Sequence, residues 1–263
     1  MALFDKIRDK APLFIKDGVP HYGSEREGDQ FRDSDIEKWT TGGHFARRWR
    51  DKGQANEFRN DVYMNLCRKA AALNLPLMDI ACGPNLGLLP DIIAINPNIQ
   101  ALATDACPIL IEKWHEFLRT NAPEVNIELA CFNAADMPIR DNSVDTITSS
   151  IGFGSLRYAG VDQMDGIGEA YRVLKPGGYI FAIEGEFEDN DIVQKTFDLW
   201  GKENWFGNDK LTWVQRFKQA GFVVEEETWR SRSVDNDWDL GDAAASFGLE
   251  IAVVSKAYIL RKR

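Results

Sequence analysis

From residue 75 onward, short apolar runs alternate with stretches whose apolar residues recur at helical spacing. The runs at 75–81, 101–104, 125–130, 144–149 and 179–183 have the length of strands, and their largely apolar character suits a parallel sheet covered on both faces. Between them, Leu110, Trp114 and Phe117 share one helical face, as do Met164, Ile167, Tyr171 and Leu174. A last helical face, Leu211, Val214 and Phe217, ends at Gly221 as a C-terminal cap. Two further strand candidates, 222–229 and 250–260, are joined by an acidic loop containing Trp238, with no helix expected between them. Such a pair closes a sheet edge in antiparallel fashion. The pattern predicts a doubly wound α/β sheet.

The first 75 residues are charge-dense and read as a helical extension. Ser34 and Glu37 have the spacing of a capping box that opens a short helix towards Trp39, broken at 41–43. Phe58, Val62, Leu66 and Ala70 recur every fourth residue, marking one apolar helical face. The polar, glycine-punctuated stretch 21–33 predicts a mobile loop. The expected organisation is a helical N-terminal lid over 1–75, then a domain over 76–263 with an inserted helical segment around 188–210.

Composition narrows the function classes. With 31 Lys and Arg against 41 Asp and Glu, the net charge is −10, which argues against nucleic-acid or anionic-membrane surfaces. Fifteen Phe and eight Trp belong to a chain with a real core. Charges interrupt every short apolar run of the first twenty residues, so no signal peptide is expected, and no run is long enough to span a bilayer. Cys67, Cys82, Cys107 and Cys131 lack CxxC spacing and read as reduced, buried thiols of a cytoplasmic protein. The three histidines lie far apart, so no metal is expected.

Four segments carry chemistry. Leu77-Met-Asp-Ile-Ala-Cys-Gly-Pro-Asn-Leu-Gly87 is an apolar strand running into a turn of small residues and then a helix, where backbone can approach a ligand closely. Asp105 ends the next strand, roughly 20 residues on, where a carboxylate can accept two ribose hydroxyls. Beyond the third strand, Asp136 and the adjacent backbone N–H of Met137 can read an adenine edge. Glu169-Ala-Tyr-Arg-Val-Leu-Lys-Pro-Gly-Gly178 is a helix stopped by Pro-Gly-Gly before another strand.

In combination and order, these segments resemble the class I S-adenosylmethionine-dependent methyltransferases, especially the group that includes the ubiquinone/menaquinone C-methyltransferases. The likeness covers about residues 75–185. It implies a seven-stranded Rossmann-like methyltransferase sheet of order 3-2-1-4-5-7-6, last strand antiparallel. It implies S-adenosylmethionine as cofactor, S-adenosylhomocysteine as product, and a small-molecule acceptor. By the same resemblance, Asp79, Ala81, Cys82, Gly83 and Asn85 hold the methionyl end. Asp105 with Ala106 holds the ribose, Asp136 and Met137 the adenine, and Ser149 borders the transferred methyl. One departure stands out: the family usually has glycine where this chain has Asn85. Asn tolerates left-handed backbone, so the turn is expected to survive. The rival reading, a nicotinamide-binding turn, lacks G-x-G-x-x-G.

The acceptor side is thinner. Glu184 ends the fifth strand and, with Glu186, Glu188 and Asp189, suggests an acidic rim that favours a cationic or amine acceptor. Glu184 and Tyr22 are the candidate catalytic residues, Tyr22 on a segment able to close over the site. Tyr158, Trp200 and Trp205 are candidate pocket walls. The basic stretch Arg47-Arg48-Trp49-Arg50 can steer a carboxylate or face water. Three functions follow: small-molecule N- or O-methylation, the favoured one, resting on the four ordered segments; C-methylation of a quinone-like ring; or a methyltransferase fold retained as a binding scaffold.

Overall fold

The computed structural model describes residues 2–23, 33–41, 43–54, 56, 59–156, 161–204, 211–234 and 239–263. Among these, nine strands form one sheet: β1 (Phe14–Lys16), β2 (Val19–His21), β3 (Leu77–Ile80), β4 (Ala101–Asp105), β5 (Ile127–Cys131), β6 (Val144–Ser150), β7 (Leu174–Phe187), β8 (Val223–Val234) and β9 (Ala252–Arg261). Their order is β1-β2-β5-β4-β3-β6-β7-β9-β8. Numbered from β3, the last seven reproduce 3-2-1-4-5-7-6, with β9 antiparallel to both neighbours. The central strands pair in parallel, Met78 opposite Leu102 on one side and Ile147 on the other.

The apolar runs became strands because every residue of β3 and β4 is buried. Each fully buried Leu, Ile or Val contributes about 1.5–3 kcal/mol, a gain that a two-faced central strand collects from helices on both sides. One face is covered by α4 (Asp61–Ala72), α5 (Leu89–Ile95) and α6 (Pro108–Asn121), through Leu66, Ile92, Ile111 and Trp114. The other is covered by α1 (Leu3–Ile7), α8 (Gln163–Val173) and α10 (Trp213–Gln219), through Phe4, Ile167, Ala170 and Phe217. Side chains start these helices: Asn60 caps α4, Asp162 caps α8, and Thr212 with Gln215 forms a capping box on α10.

Several local expectations need correction. The N-terminal part is not wholly helical, since β1 and β2 form a hairpin that extends the sheet through His21 opposite Cys131. Ser34 lies inside α2 (Asp33–Thr40) and so is not its N-cap. α8 ends at Val173, and Leu174 already begins β7, so Lys175-Pro-Gly-Gly178 lies in the strand at a shift of register with β6. A helix, α11 (Asp239–Ser246), intervenes between β8 and β9, which nevertheless pair antiparallel. Phe58 and Trp238, and residues 24–32 of the expected loop, lie outside the described residues. All four cysteines are buried and none forms a disulfide among the described residues. No helix among the described residues is long and apolar enough to cross a membrane.

Candidate functional site

In a sheet of this order the ligand crevice is expected at the carboxyl ends of β3, β4 and β6, where the strand order reverses. After β3 the chain turns in left-handed steps: Ala81, Gly83, Leu86 and Gly87 have φ of 50°, 58°, 54° and 53°. Asn85 is not one of them. It sits in a single 3-10 turn, Gly83–Asn85, so its side chain does not serve the left-handed role expected of it. Nor does the turn pass directly into a helix with unengaged donors. Cys82 N–H donates to Thr104 O (2.8 Å), Gly83 N–H to Asp105 Oδ2 (2.9 Å), Gly87 N–H to Cys82 O (2.8 Å) and Leu88 N–H to Asp79 Oδ2 (3.4 Å). With those N–H groups engaged internally, the turn is a steric cradle for a ligand without phosphates rather than an anion-binding nest.

Two buried carboxyls frame the cradle. Asp79 is fully buried, and its Oδ2 accepts the Thr148 hydroxyl at 2.6 Å. Its Oδ1 is buried with no hydrogen-bond partner among the described residues. Burial pushes this carboxyl up to about 7, against the bonds from Thr148 and Leu88 and the charge of Arg48. Asp105 accepts Cys107 N–H through Oδ1 and Gly83 N–H through Oδ2, both at 2.9 Å. Burial raises it, and these N–H groups oppose the rise. Each carboxylate oxygen has a second lone pair, so Asp105 can still accept a pair of vicinal hydroxyls. The open face of Gly83, where a Cβ would meet nothing within 4 Å, leaves room beside it. Trp114 Nε1–H fixes the turn from below by donating to Gly83 O at 2.9 Å. The residues therefore fit a nucleoside cofactor that carries ribose hydroxyls and no phosphate.

The adenine pair foreseen at Asp136 and Met137 is engaged elsewhere. Asp136 is exposed and bound by Lys10 Nζ at 2.8 Å, and Met137 N–H donates to Glu169 Oε2 at 2.8 Å. Closer to Asp105 is Asn133, one residue beyond Phe132, whose N–H donates to Asp105 O at 3.1 Å just after β5 ends. Asn133 Oδ1 accepts Ala135 N–H at 2.9 Å, and its amide has the donor and acceptor that an adenine edge needs. Sequence reasoning passed over it because an Asp three residues on carried the stronger chemical signal. The usable signal was its place right after the strand.

At the end of β6, Ser149 donates to Glu184 Oε1 at 3.1 Å. Glu184 is fully buried and also accepts Phe153 N–H (3.1 Å) and Gly154 N–H (3.0 Å), which ties β7 to the short helix α7 (Gly152–Ser155). It is not part of an open rim. A Cβ on Gly152 would lie 2.5 Å from Ile80 O and 2.6 Å from Ser149 Oγ, so only glycine fits where α7 crosses the strand ends. Ile151 is held left-handed (φ 62°) and is 42% exposed, a conformation a β-branched residue adopts only when its surroundings impose it.

A family model, described as the ubiE/COQ5 methyltransferase family, matches residues 52–207. The chain belongs to the ubiE/COQ5 methyltransferase family. Among its relatives, a demethylmenaquinone methyltransferase of Symbiobacterium thermophilum is 27% identical over 165 residues, 61% of each chain. A ubiquinone/menaquinone biosynthesis C-methyltransferase UbiE of Brucella canis is 37% identical over 75 residues, 28% of this chain and 26% of the relative. The match thus spans less than two thirds of these relatives. In fold, the chain is similar to the MccD protein (TM-score 0.57, 13% identity, 77% of this chain and 97% of that one). It is also similar to the YcgJ protein from Bacillus subtilis (TM-score 0.52, 18% identity, 76% and 98%).

In this family member the acceptor side differs from its sequence expectation. Glu186 pairs with Lys256 at 2.7 Å, Glu188 pairs with Arg232 at 2.8 Å, and Asp189 caps α9 (Asn190–Trp200). The acidic rim is therefore largely neutralised. Tyr22 packs edge-on against Phe4 and Phe132, and its hydroxyl donates to Lys10 O at 3.3 Å. It is placed at the β2–β5 side of the sheet, since Tyr22 N–H donates to Cys131 O. Trp200 packs on a satellite core of Val193, Phe197 and Leu240, with Lys202 Nζ 3.6 Å from its ring centre. Tyr158 and Trp205 lie outside the described residues. The N-terminal segment, by contrast, reaches the crevice directly: Ala46 N–H donates to Pro84 O (2.8 Å), and Arg48 touches the turn and the end of β6.

Proposed function

We propose that this chain is an S-adenosylmethionine-dependent methyltransferase acting on a small-molecule acceptor, and that the acceptor atom is a ring carbon of a quinol-like compound. The observation that carries the cofactor is Asp105, buried beside a turn whose Gly83 face is open and whose N–H groups are engaged internally. When bound, the cofactor would supply an electrophilic methyl on a sulfonium, transferred in line to the acceptor carbon with S-adenosylhomocysteine as the leaving group and the ring proton passing to solvent. This chain's residues bind and orient. Asp105 accepts the ribose hydroxyls, Asn133 takes the adenine edge, and the turn over 81–87 bounds the methionyl end. α7 packs over the ends of β3 and β6. Alignment of this kind can supply about 7–11 kcal/mol of a barrier.

The carbon acceptor is favoured over an amine for two reasons. The relatives' names point to quinone-ring substrates, and the acidic groups that would attract a cation are ion-paired, capping or buried. Calorimetric titration with S-adenosylmethionine and S-adenosylhomocysteine tests the cofactor. Saturable binding that weakens roughly 10–100-fold in Asp105→Ala is expected from the loss of charge-assisted bonds. Unsaturable heats in folded protein would end the proposal. A methyl-transfer screen against a naphthoquinol, a phenol and a secondary amine then tests the acceptor, with turnover of the naphthoquinol expected and turnover of the amine alone counting against it.

A further inference from the structure

Arg48 lies outside every segment that carries the family likeness in the sequence, yet its side chain bridges the turn after β3 and the end of β6. Its Nη1 donates to Gly87 O at 2.9 Å and to Ser150 Oγ at 3.0 Å. Those two acceptors belong to the end of the turn after β3 and to the end of β6, the adjacent strands at the switch point of the sheet. Both hydrogens of Nη1 thus go to neutral oxygens.

The placement is built rather than incidental. Arg48 N–H donates to Asn85 Oδ1 at 3.1 Å, and Ala46, buried and left-handed at φ 56°, donates its N–H to Pro84 O. Behind them, Arg59 Nη2 donates to Arg48 O at 2.6 Å. Arg59 is itself held by Asp91, fully buried, whose Oδ2 accepts Arg59 Nε (2.8 Å) and the Tyr63 hydroxyl (2.8 Å) while Oδ1 accepts Gly53 N–H (3.0 Å). The charge of Asp91 is therefore matched by Arg59. Arg48 is a second cation, held against the turn that follows β3, with Arg230 and the buried Asp79 carboxyl among its titratable neighbours.

We propose that Arg48 is the counter-ion for the amino-acid carboxylate of the cofactor, and that Asn85, where the family usually has glycine, is the latch that delivers it. A planar guanidinium matches a carboxylate in geometry as well as charge. The departure at Asn85 then marks a docking point for the N-terminal segment, not a damaged turn. This rests on the cofactor reading above.

The test separates the two by comparing ligands. S-adenosylhomocysteine carries the amino-acid end, and 5′-methylthioadenosine is the same nucleoside thioether without it. Both are titrated by calorimetry into the full chain, its Arg48→Met, Arg48→Lys and Asn85→Gly variants. Arg48→Met is expected to weaken S-adenosylhomocysteine roughly 10–100-fold and leave methylthioadenosine within about twofold. Arg48→Lys should recover part of the loss, and Asn85→Gly should show a smaller loss in the same selective direction. Equal weakening of both ligands would make Arg48 a brace for the turn and overturn the proposal, as would no change in either. Wild-type protein that binds methylthioadenosine but gains nothing from the amino-acid end would overturn it while sparing the cofactor reading. Binding of neither ligand would overturn both. Should Arg48→Met fail to fold, Asn85→Gly carries the same comparison.

Discussion

Gly87 lies so close to Asp79 that a Cβ on it would fall 2.1 Å from Oδ1 and 2.5 Å from Cγ. Its φ of 53° adds the left-handed penalty of any side chain. Gly87→Ala must therefore push the turn off β3 or displace a buried carboxyl, at a cost of roughly 2–4 kcal/mol. Urea denaturation should show this as a lower midpoint with an unchanged slope. Gly168, exposed on α8 with nothing near its Cβ position, is the matched control. Gly168→Ala should stabilise by about 0.5–1 kcal/mol. Equal effects at the two sites would contradict the packing.

Glu184 accepts three donors at once, from Ser149, Phe153 and Gly154. A glutamine in its place turns one acceptor into a donor, leaving a buried N–H facing another. Glu184→Gln should lose about 1–3 kcal/mol of stability and depress turnover equally on every acceptor, because α7 and the strand ends shift together. A loss confined to amine acceptors would instead restore the acidic group to substrate recognition. The melting curve and kcat/KM on two acceptors of different charge decide between these.

Much of this fold was legible because a parallel strand buried on both faces has nowhere to put polar residues. Thus 101–104 and 144–149 announced β4 and β6, almost to their ends. β1 and β2 were hidden: each is three residues long, His21 fell within the expected loop, and its partner Cys131 is more than a hundred positions away. Among site residues, Asp105 was legible from its place at a strand end. Glu184 was legible in position but not in direction, since charge alone does not tell a rim from a buried cap. Arg48 was least legible. Its neighbours in a basic run look like a solvated face, and only tertiary contact from Asn85, Gly87 and Ser150 sets it apart.

Arg59 and Asp91 form an ion pair at 2.8 Å in which both side chains are almost completely buried. Removing one partner leaves an uncompensated buried charge, and such changes cost about 3–5 kcal/mol. Arg59→Met should therefore lower stability by that order, and Asp91→Leu by a similar amount. The double substitution Arg59→Met with Asp91→Leu should recover a large share, since no lone charge remains. Purely additive losses in the double-mutant cycle would show that the pair is not coupled. Amide exchange should rise first at residues 46–54, which hang from this pair through Arg48 O and Gly53 N–H.

The Asp79 carboxyl gives the chain a pH dependence with a definite sign. Burial raises it from 3.8 to about 7 in the folded protein, and Asp105 moves in the same direction. Between pH 4 and 7 the folded state thus binds more protons than the unfolded one, so stability falls as pH rises through that window. Below it both states are protonated; above it both are ionised and the cost is complete. At about 1.36 kcal/mol per unit, Asp79 accounts for at most roughly 4 kcal/mol. Asp79→Asn removes the titration while keeping an oxygen that can accept the Thr148 hydroxyl. Its stability relative to wild type should therefore rise steadily between pH 5 and 7 and level off above that, as read from urea midpoints at unit intervals. Parallel curves for the two proteins would mean that Asp79 is already ionised at pH 5, with its buried Oδ1 held by a donor.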